Sequence, residues 1–176
     1  NERERISDIL RQLADGRRIA LISDAGTPLV SDPGFPLVRA VREAGLPVFA
    51  APGASALLAA LSVAGLPTDS FAFHGFLPPK LEARETSLRT LAPRRETLVF
   101  YESPRRLGET LAAMARQFGD DRPAAVALEL TKRFERVERG TLSELAARYG
   151  EGETKGEAVI VVGGASEAVI EASGSA

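Results

Sequence analysis

The sequence contains no cysteine and no tryptophan, and it has one histidine and one methionine. Without cysteine there is no disulfide and no thiolate metal ligand, which fits a reducing compartment. With His74 as the only imidazole, a histidine-based metal centre has no ligand set, so no metal is expected. Long apolar runs are also missing. None approaches the ~20 residues that cross a bilayer as a helix, and no signal-like segment opens the chain. We therefore read a soluble, cytoplasmic protein with no membrane partner. A surplus of one charge is lacking too: the net charge of −2 gives no overall basic signature of the kind that phosphate-backbone binders show. Residues 80–106 are locally basic (Lys80, Arg84, Arg89, Arg94, Arg95, Arg105, Arg106), a pattern that fits a solvated helix face and an RNA-facing patch equally.

What is present is enough for a core. At 176 residues and 44% hydrophobic content, the chain supports one large domain or two small ones, and we read two. Ile6, Ile9, Leu10 and Leu13 share one face of a helix over residues 2–14, closed by Gly16. A strand over 19–22 feeds a polar loop and a helix over 35–44; a strand over 47–51 feeds a second loop and a small-residue helix over 54–64. This alternation predicts βαβ crossovers and a parallel sheet. After a strand over 70–73, the prolines of His74-Gly-Phe-Leu-Pro-Pro79 place a domain boundary. Beyond it we expect an exposed helix over 80–91, strands over 97–101, 124–130, 134–138 and 157–162, and helices over 103–118 and 142–149. The fold class is α/β, with a first domain over 1–77, a second with a mixed sheet over 78–165, and a weakly patterned, poorly ordered tail over 166–176.

Candidate chemistry sits at strand ends. The first loop, Ser23-Asp-Ala-Gly-Thr-Pro-Leu-Val-Ser-Asp-Pro-Gly34, combines glycines that allow close backbone approach with Asp24, Thr27, Ser31 and Asp32 as polar groups. Two aspartates would repel a phosphate, and the Gly-Lys-Ser/Thr ending is absent, so this is no P-loop. A ligand with hydroxyls, amines or a sulfonium suits it, and so does a plain capped turn. The second loop, Pro52-Gly-Ala-Ser55, is of the same kind; side by side the two would admit a flat nucleoside. His74 fits a structural role better than that of a base. Glu129-Leu-Thr-Lys132 can position a hydroxyl and its developing charge, or form a surface ion pair.

These stretches, together with Gly75-Phe-Leu-Pro78, Phe100-Tyr-Glu-Ser103 and Lys155-Gly-Glu157, resemble in order the motifs of the tetrapyrrole-methylase superfamily, the class III S-adenosylmethionine-dependent methyltransferases. Within it, the resemblance is to the branch that methylates small-subunit ribosomal RNA. It implies two α/β domains, a homodimer, S-adenosyl-L-methionine as cofactor, and 2′-O-ribose methylation of a cytidine in the decoding region of 16S rRNA in the 30S subunit. It also implies cofactor contacts at Gly26, Thr27, Pro28, Val30, Ala54, Ser55, Ala56, Tyr101, Glu102, Leu128 and Ala158. Where relatives carry Gly-Asp-Pro this chain has Gly26-Thr27-Pro28, which favours a backbone contact over a side-chain role for Thr27.

For the proton of the ribose hydroxyl we name Glu129 and Asp24, with Lys132 stabilising the developing alkoxide; for RNA phosphates, Arg105, Arg106, Lys132 and Arg133. The family's opening strand and Thr-Pro-Ile-Gly-Asn-Leu-like loop have no counterpart before Asn1. The chain is therefore expected to be a fragment whose first sheet lacks strands and which binds the cofactor weakly or not at all. The alternatives are a methyltransferase of the same fold acting on a tetrapyrrole or other small molecule, and a non-catalytic α/β dimerisation module.

Overall fold

The computed structural model describes residues 2–150 and 154–167, so most of the tail read over 166–176 lies outside the described residues. The chain divides into two compact units, Asn1–Ser55 and Ala56–Ala176.

In the first unit, α1 (Glu2–Ala14) turns its Ile6, Ile9, Leu10 and Leu13 face away from solvent, as the periodicity requires. It stops where Gly16 takes φ 80°, with Gly16 N–H donating to Leu13 O and Arg17 N–H to Gln12 O. This is the left-handed glycine stop that satisfies the last carbonyls of a helix. The second helix, α2 (Phe35–Glu43), begins with Pro36 in its first turn and ends in the same way at Gly45. The strands expected over 19–22 and 47–51 are not formed. Both segments lack regular secondary structure, with Ile22 84% and Phe49 88% exposed. An apolar β-type run becomes a strand only where a neighbour takes its hydrogen bonds, and none does so among the described residues. The parallel sheet expected in this unit is accordingly absent from them.

The second unit is built on one mixed sheet. Its strands are β1 (Phe71–Phe76), β2 (Thr97–Glu102), β3 (Pro123–Leu128), β4 (Arg136–Thr141) and β5 (Ala158–Val162), in the order β1-β2-β5-β3-β4. Only β1 and β2 run parallel. The central strands are apolar throughout because both faces are covered. Alternate residues Leu98, Phe100, Val126, Leu128, Ile160 and Val162 face one core with α4 (Leu81–Leu91), α5 (Leu107–Phe118) and α6 (Leu142–Gly150). Their neighbours Val99, Ala125, Ala127, Val159 and Val161 face Ala60, Leu61 and Ala64 of α3 (Ala56–Ala64).

This packing of α3, and the pairing of β1 with β2, put residues 56–77 with the second unit. The units divide earlier than the 77/78 boundary that the prolines suggest. Two further differences concern single residues. Strand β1 continues past His74 through a bulge between Phe73 and Gly75, which sets the imidazole against the Phe100 ring, 5.3 Å away and nearly parallel. Helix α4 is not simply exposed, because Arg84 and Leu88 are buried.

Candidate functional site

The first unit brings its two loops together. Thr27 Oγ1 donates to Ala54 O at 2.9 Å, and a Cβ placed on Gly26 would meet that same carbonyl at 3.8 Å. Ser23 Oγ donates to Ala25 O at 2.7 Å, which folds the turn back on itself. Four residues of the first loop hold left-handed backbone: Gly26 at φ 71°, Leu29 at 73°, Ser31 at 56° and Gly34 at 127°. For Leu and Ser this conformation costs on the order of 1 kcal/mol or more each. A loop that keeps two such residues is held in that shape by its surroundings. Thr27 serves as the staple between loops, while Pro28 and Val30 are half-buried and Asp24, Gly26 and Ala54 are exposed. Ser55 is half-buried beside them.

In the second unit the expected ligand residues sit in one row across one end of the three central strands. Ala158 is paired with Glu102 on one side and Leu128 on the other, and Tyr101 with Val159. The side chains of Leu128 and Ala158 point into the core, so toward a ligand they offer backbone. Tyr101 packs edge-on against Phe73 and Phe76, with centroids at 4.8 and 5.7 Å. Its hydroxyl accepts the Leu57 N–H at 3.2 Å and so caps the first turn of α3, next to Ala56. Glu102 is buried, and its carboxylate accepts from Ser103 N–H at 2.6 Å, Thr110 Oγ1 at 2.6 Å and the Arg106 guanidinium at 2.6 and 3.0 Å. Arg84 extends this network, donating to Thr110 Oγ1 at 3.3 Å and to the carbonyls of Pro78 and Pro79.

The Glu129–Lys132 cluster forms a third feature. Beyond β3 the chain reverses with Glu129 at φ 50° and Thr131 at 65°. Glu129 Oε1 accepts from Lys132 Nζ at 3.0 Å and from Glu157 N–H at 2.8 Å; Lys132 also pairs with Glu157 at 3.1 Å. The Lys132 ammonium, then the Glu157 amide, hold the Glu129 carboxyl below its ordinary range, and both carboxylates push Lys132 up. Both groups thus stay charged at neutral pH. Gly156, at φ 97°, is what lets the carboxylate in, since a Cβ there would lie 2.1 Å from Glu129 Oε1. The motif Lys155-Gly-Glu157 builds this cradle. Beside it opens a cleft of about 620 Å³ lined by Leu128, Glu129, Arg133, Phe134, Arg136 and Lys155, among others. Phe134 and Arg136 carry no role in the sequence reading. An aromatic among cations is the signal that could have found them.

The cations named for RNA separate into two kinds. Arg106 and Lys132 are held by carboxylates. Arg105 and Arg133 are exposed and make no ion pair among the described residues. His74 stays at the bulge. Its Nε2 is buried without a partner, and burial, followed by Arg94, lowers its pKa from the ordinary histidine value. Among the described residues no cluster of acidic and imidazole groups could hold a metal.

A sequence profile of the tetrapyrrole (corrin/porphyrin) methylases matches residues 1–146. The chain belongs to this family. Among relatives, ribosomal RNA small subunit methyltransferase I of Xylella fastidiosa is 52% identical over 169 residues, covering 95% of this chain and 62% of that protein. The chain spans about three-fifths of that relative's length. Among solved structures, the uroporphyrin-III-C-methyltransferase of Thermus thermophilus superposes with a TM-score of 0.63 at 26% identity, over 99% of this chain and 75% of that one. A further structure of that Thermus enzyme, complexed with S-adenosylhomocysteine, gives a TM-score of 0.59 at 24% identity over 96% and 74% of the two chains. The tetrapyrrole-methylase fold expected from the motifs is thus the fold found, with the mixed sheet of the second unit carrying the likeness to an α/β class.

Proposed function

We propose that this tetrapyrrole-methylase chain carries the methyl transfer of a small-subunit ribosomal RNA methyltransferase: S-adenosyl-L-methionine is the donor and the ribose 2′-oxygen of a cytidine in the decoding region of 16S rRNA is the acceptor. The observation that carries the reading is 52% identity, along nearly the whole chain, to a protein named for that RNA. The setting would be the 30S subunit in the cytoplasm, with the enzyme a homodimer. No helix among the described residues is long and apolar enough to cross a membrane, which accords with that setting.

The first-unit loops fit the donor. Gly26, Thr27, Pro28 and Val30 face it through backbone, stapled to Ala54 and neighbouring Ser55, and the acidic Asp24 suits a sulfonium. In the second unit, the motifs assign Ala56, Tyr101, Leu128 and Ala158 to the donor, and Glu102 fixes the end of β2 through its hydrogen bonds. The donor, when bound, supplies an electrophilic methyl group, and no metal is needed. The protein's share is to orient the acceptor hydroxyl and manage its proton. A carboxylate held at low pKa by two donors is a weak base, so Glu129 holds the Lys132 ammonium in place and Lys132 stabilises the alkoxide. Asp24 is then the remaining candidate to accept the proton. Arg105 and Arg133, uncommitted to carboxylates, are assigned to phosphates.

A tetrapyrrole substrate has behind it the family profile, which is named for corrin and porphyrin methylases, and a fold likeness to Thermus uroporphyrin-III-C-methyltransferase at 26% identity, against 52% to the ribosomal RNA relative. The test is transfer of label from S-adenosyl-L-methionine to unmodified 30S subunits, followed by nuclease mapping. Label in one 2′-O-methylcytidine of 16S rRNA is expected. No label in RNA, with label in uroporphyrinogen III, would overturn the proposal.

A further inference from the structure

Phe134 is 70% exposed at the rim of the cleft next to Glu129. A single exposed apolar side chain is ordinary on a protein surface, but this one is displayed by a braced loop. Lys132 N–H donates to Glu129 O at 2.9 Å, Glu135 N–H to Lys132 O at 3.1 Å, and Thr131 N–H to the Glu135 carboxylate at 2.5 Å. With Glu129 and Thr131 both at positive φ, the loop has a defined shape that keeps the ring outside the core. The Arg133 guanidinium lies over the ring, 5.5 Å from its centroid. The surrounding charge is positive. Arg133 and Lys155 make no ion pair among the described residues, and Arg136 approaches Glu138 only at 4.0 Å. Of the acidic groups lining the cleft, Glu129 is neutralised by Lys132, whereas Glu135 accepts from the Thr131 amide and keeps its charge, so the cations Arg133, Arg136 and Lys155 outnumber it.

A flat apolar ring, a guanidinium plane, two cations without a carboxylate partner and the loosely paired Arg136 around a cleft of about 620 Å³ match one chemical class, a nucleotide whose base face is open. Duplex RNA hides its base faces in the stack. Single-stranded or flipped-out RNA presents them, and stacking on an aromatic together with phosphate contacts is how such strands are gripped. We infer that Phe134 is a stacking platform for an unpaired RNA base, and that Arg133, Arg136 and Lys155 hold the phosphates flanking it. This rests on the reading of RNA as substrate and names the part of the surface that grips it.

The experiment measures fluorescence anisotropy of a labelled, unstructured oligocytidine with the whole chain as a function of salt, for the wild type, Phe134→Ala, Phe134→Trp and Arg133→Ala. Phe134→Ala should weaken binding by about tenfold with an unchanged slope of log affinity against log salt, and Phe134→Trp should keep or tighten it. Arg133→Ala should lower that slope by about one. Because both side chains are exposed, circular dichroism should show all variants folded like the wild type. The inference is overturned if the wild type does not bind the oligonucleotide at low salt, or if Phe134→Ala binds as the wild type does. It is equally overturned if Phe134→Ala changes only the sedimentation state, which would make the ring a protein contact. Methyl transfer to 30S subunits, followed in parallel, separates the two claims. RNA binding that depends on Phe134 without any transfer keeps the platform and removes the methylation reading; transfer that ignores Phe134 does the reverse.

Discussion

Glu102 is 2% exposed, and its two oxygens accept from an amide, a hydroxyl and a guanidinium, so its work is to anchor the end of β2. Removing one partner of such a buried pair leaves the others unpaired. Glu102→Ala should lower unfolding stability by about 3–5 kcal/mol, read from the urea midpoint. Lys132 differs in being held at the surface by two carboxylates and available to a reacting oxygen. If it stabilises developing charge, Lys132→Ala should cut kcat for methyl transfer by about 10²-fold. Cofactor affinity, measured by calorimetry, should be unchanged. Tyr149 supplies a pH signature. Burial, then the Glu138 carboxylate, pushes its phenol from the ordinary value of 10.0 up to about 12. The folded state therefore keeps a proton that the unfolded chain gives up first. Stability is fully present below pH 10.0 and falls as the pH rises through that window toward about 12. Ultraviolet titration should show one tyrosine ionising late, and Tyr149→Phe should remove that step together with its share of the alkaline loss.

At the scale of elements, the second unit depends on two close approaches. One is the Tyr101 hydroxyl on the first turn of α3. The other is between α5 and α6, where a Cβ on Gly108 would lie 2.3 Å from Tyr149 O and 3.1 Å from Gly150 Cα. Glycine is required at 108 for proximity, since its backbone is ordinary helix. Gly108→Ala must push α6 off α5 and should cost about 1–3 kcal/mol, despite alanine's better helix propensity. Thermal unfolding followed by circular dichroism checks the sign, because an exposed helical glycine would gain stability from the same change. Helix α4 makes the complementary point. Its sequence reads as a charged surface helix, yet the guanidinium of Arg84 is drawn inward by the Pro78 and Pro79 carbonyls and by Thr110.

For the whole molecule, burial is unevenly shared. In the first unit Val41 is the only fully buried apolar residue among those described, whereas the second unit carries two cores, one on each face of its sheet. Stability follows buried apolar area, so limited trypsin digestion should cut first at Arg17, Arg18, Arg39 or Arg42. A fragment that begins near α3 should persist; mass spectrometry of the early products decides. Much of this was legible in the chain. The glycine stops of α1 and α2 and the apolar runs of β2, β3 and β5 follow from turn chemistry and burial, which act locally along the sequence. The ordered motifs likewise pointed to the family. Residues 19–22 and 47–51 form no strand, because an apolar run does not state whether a partner will pair with it. The roles of the charges were not legible either. Arg106 and Arg133 are alike as residues, but one is bound to Glu102 and the other lies open above Phe134. The helices, their glycine stops, the strands of the second unit and the family are all readable from the chain, since they are written in near neighbours and in motif order. Only the tertiary structure decided which ionic groups are committed and which are free, because Coulomb and hydrogen-bond energies depend on distances in space between residues such as Glu129 and Glu157, which the chain sets far apart.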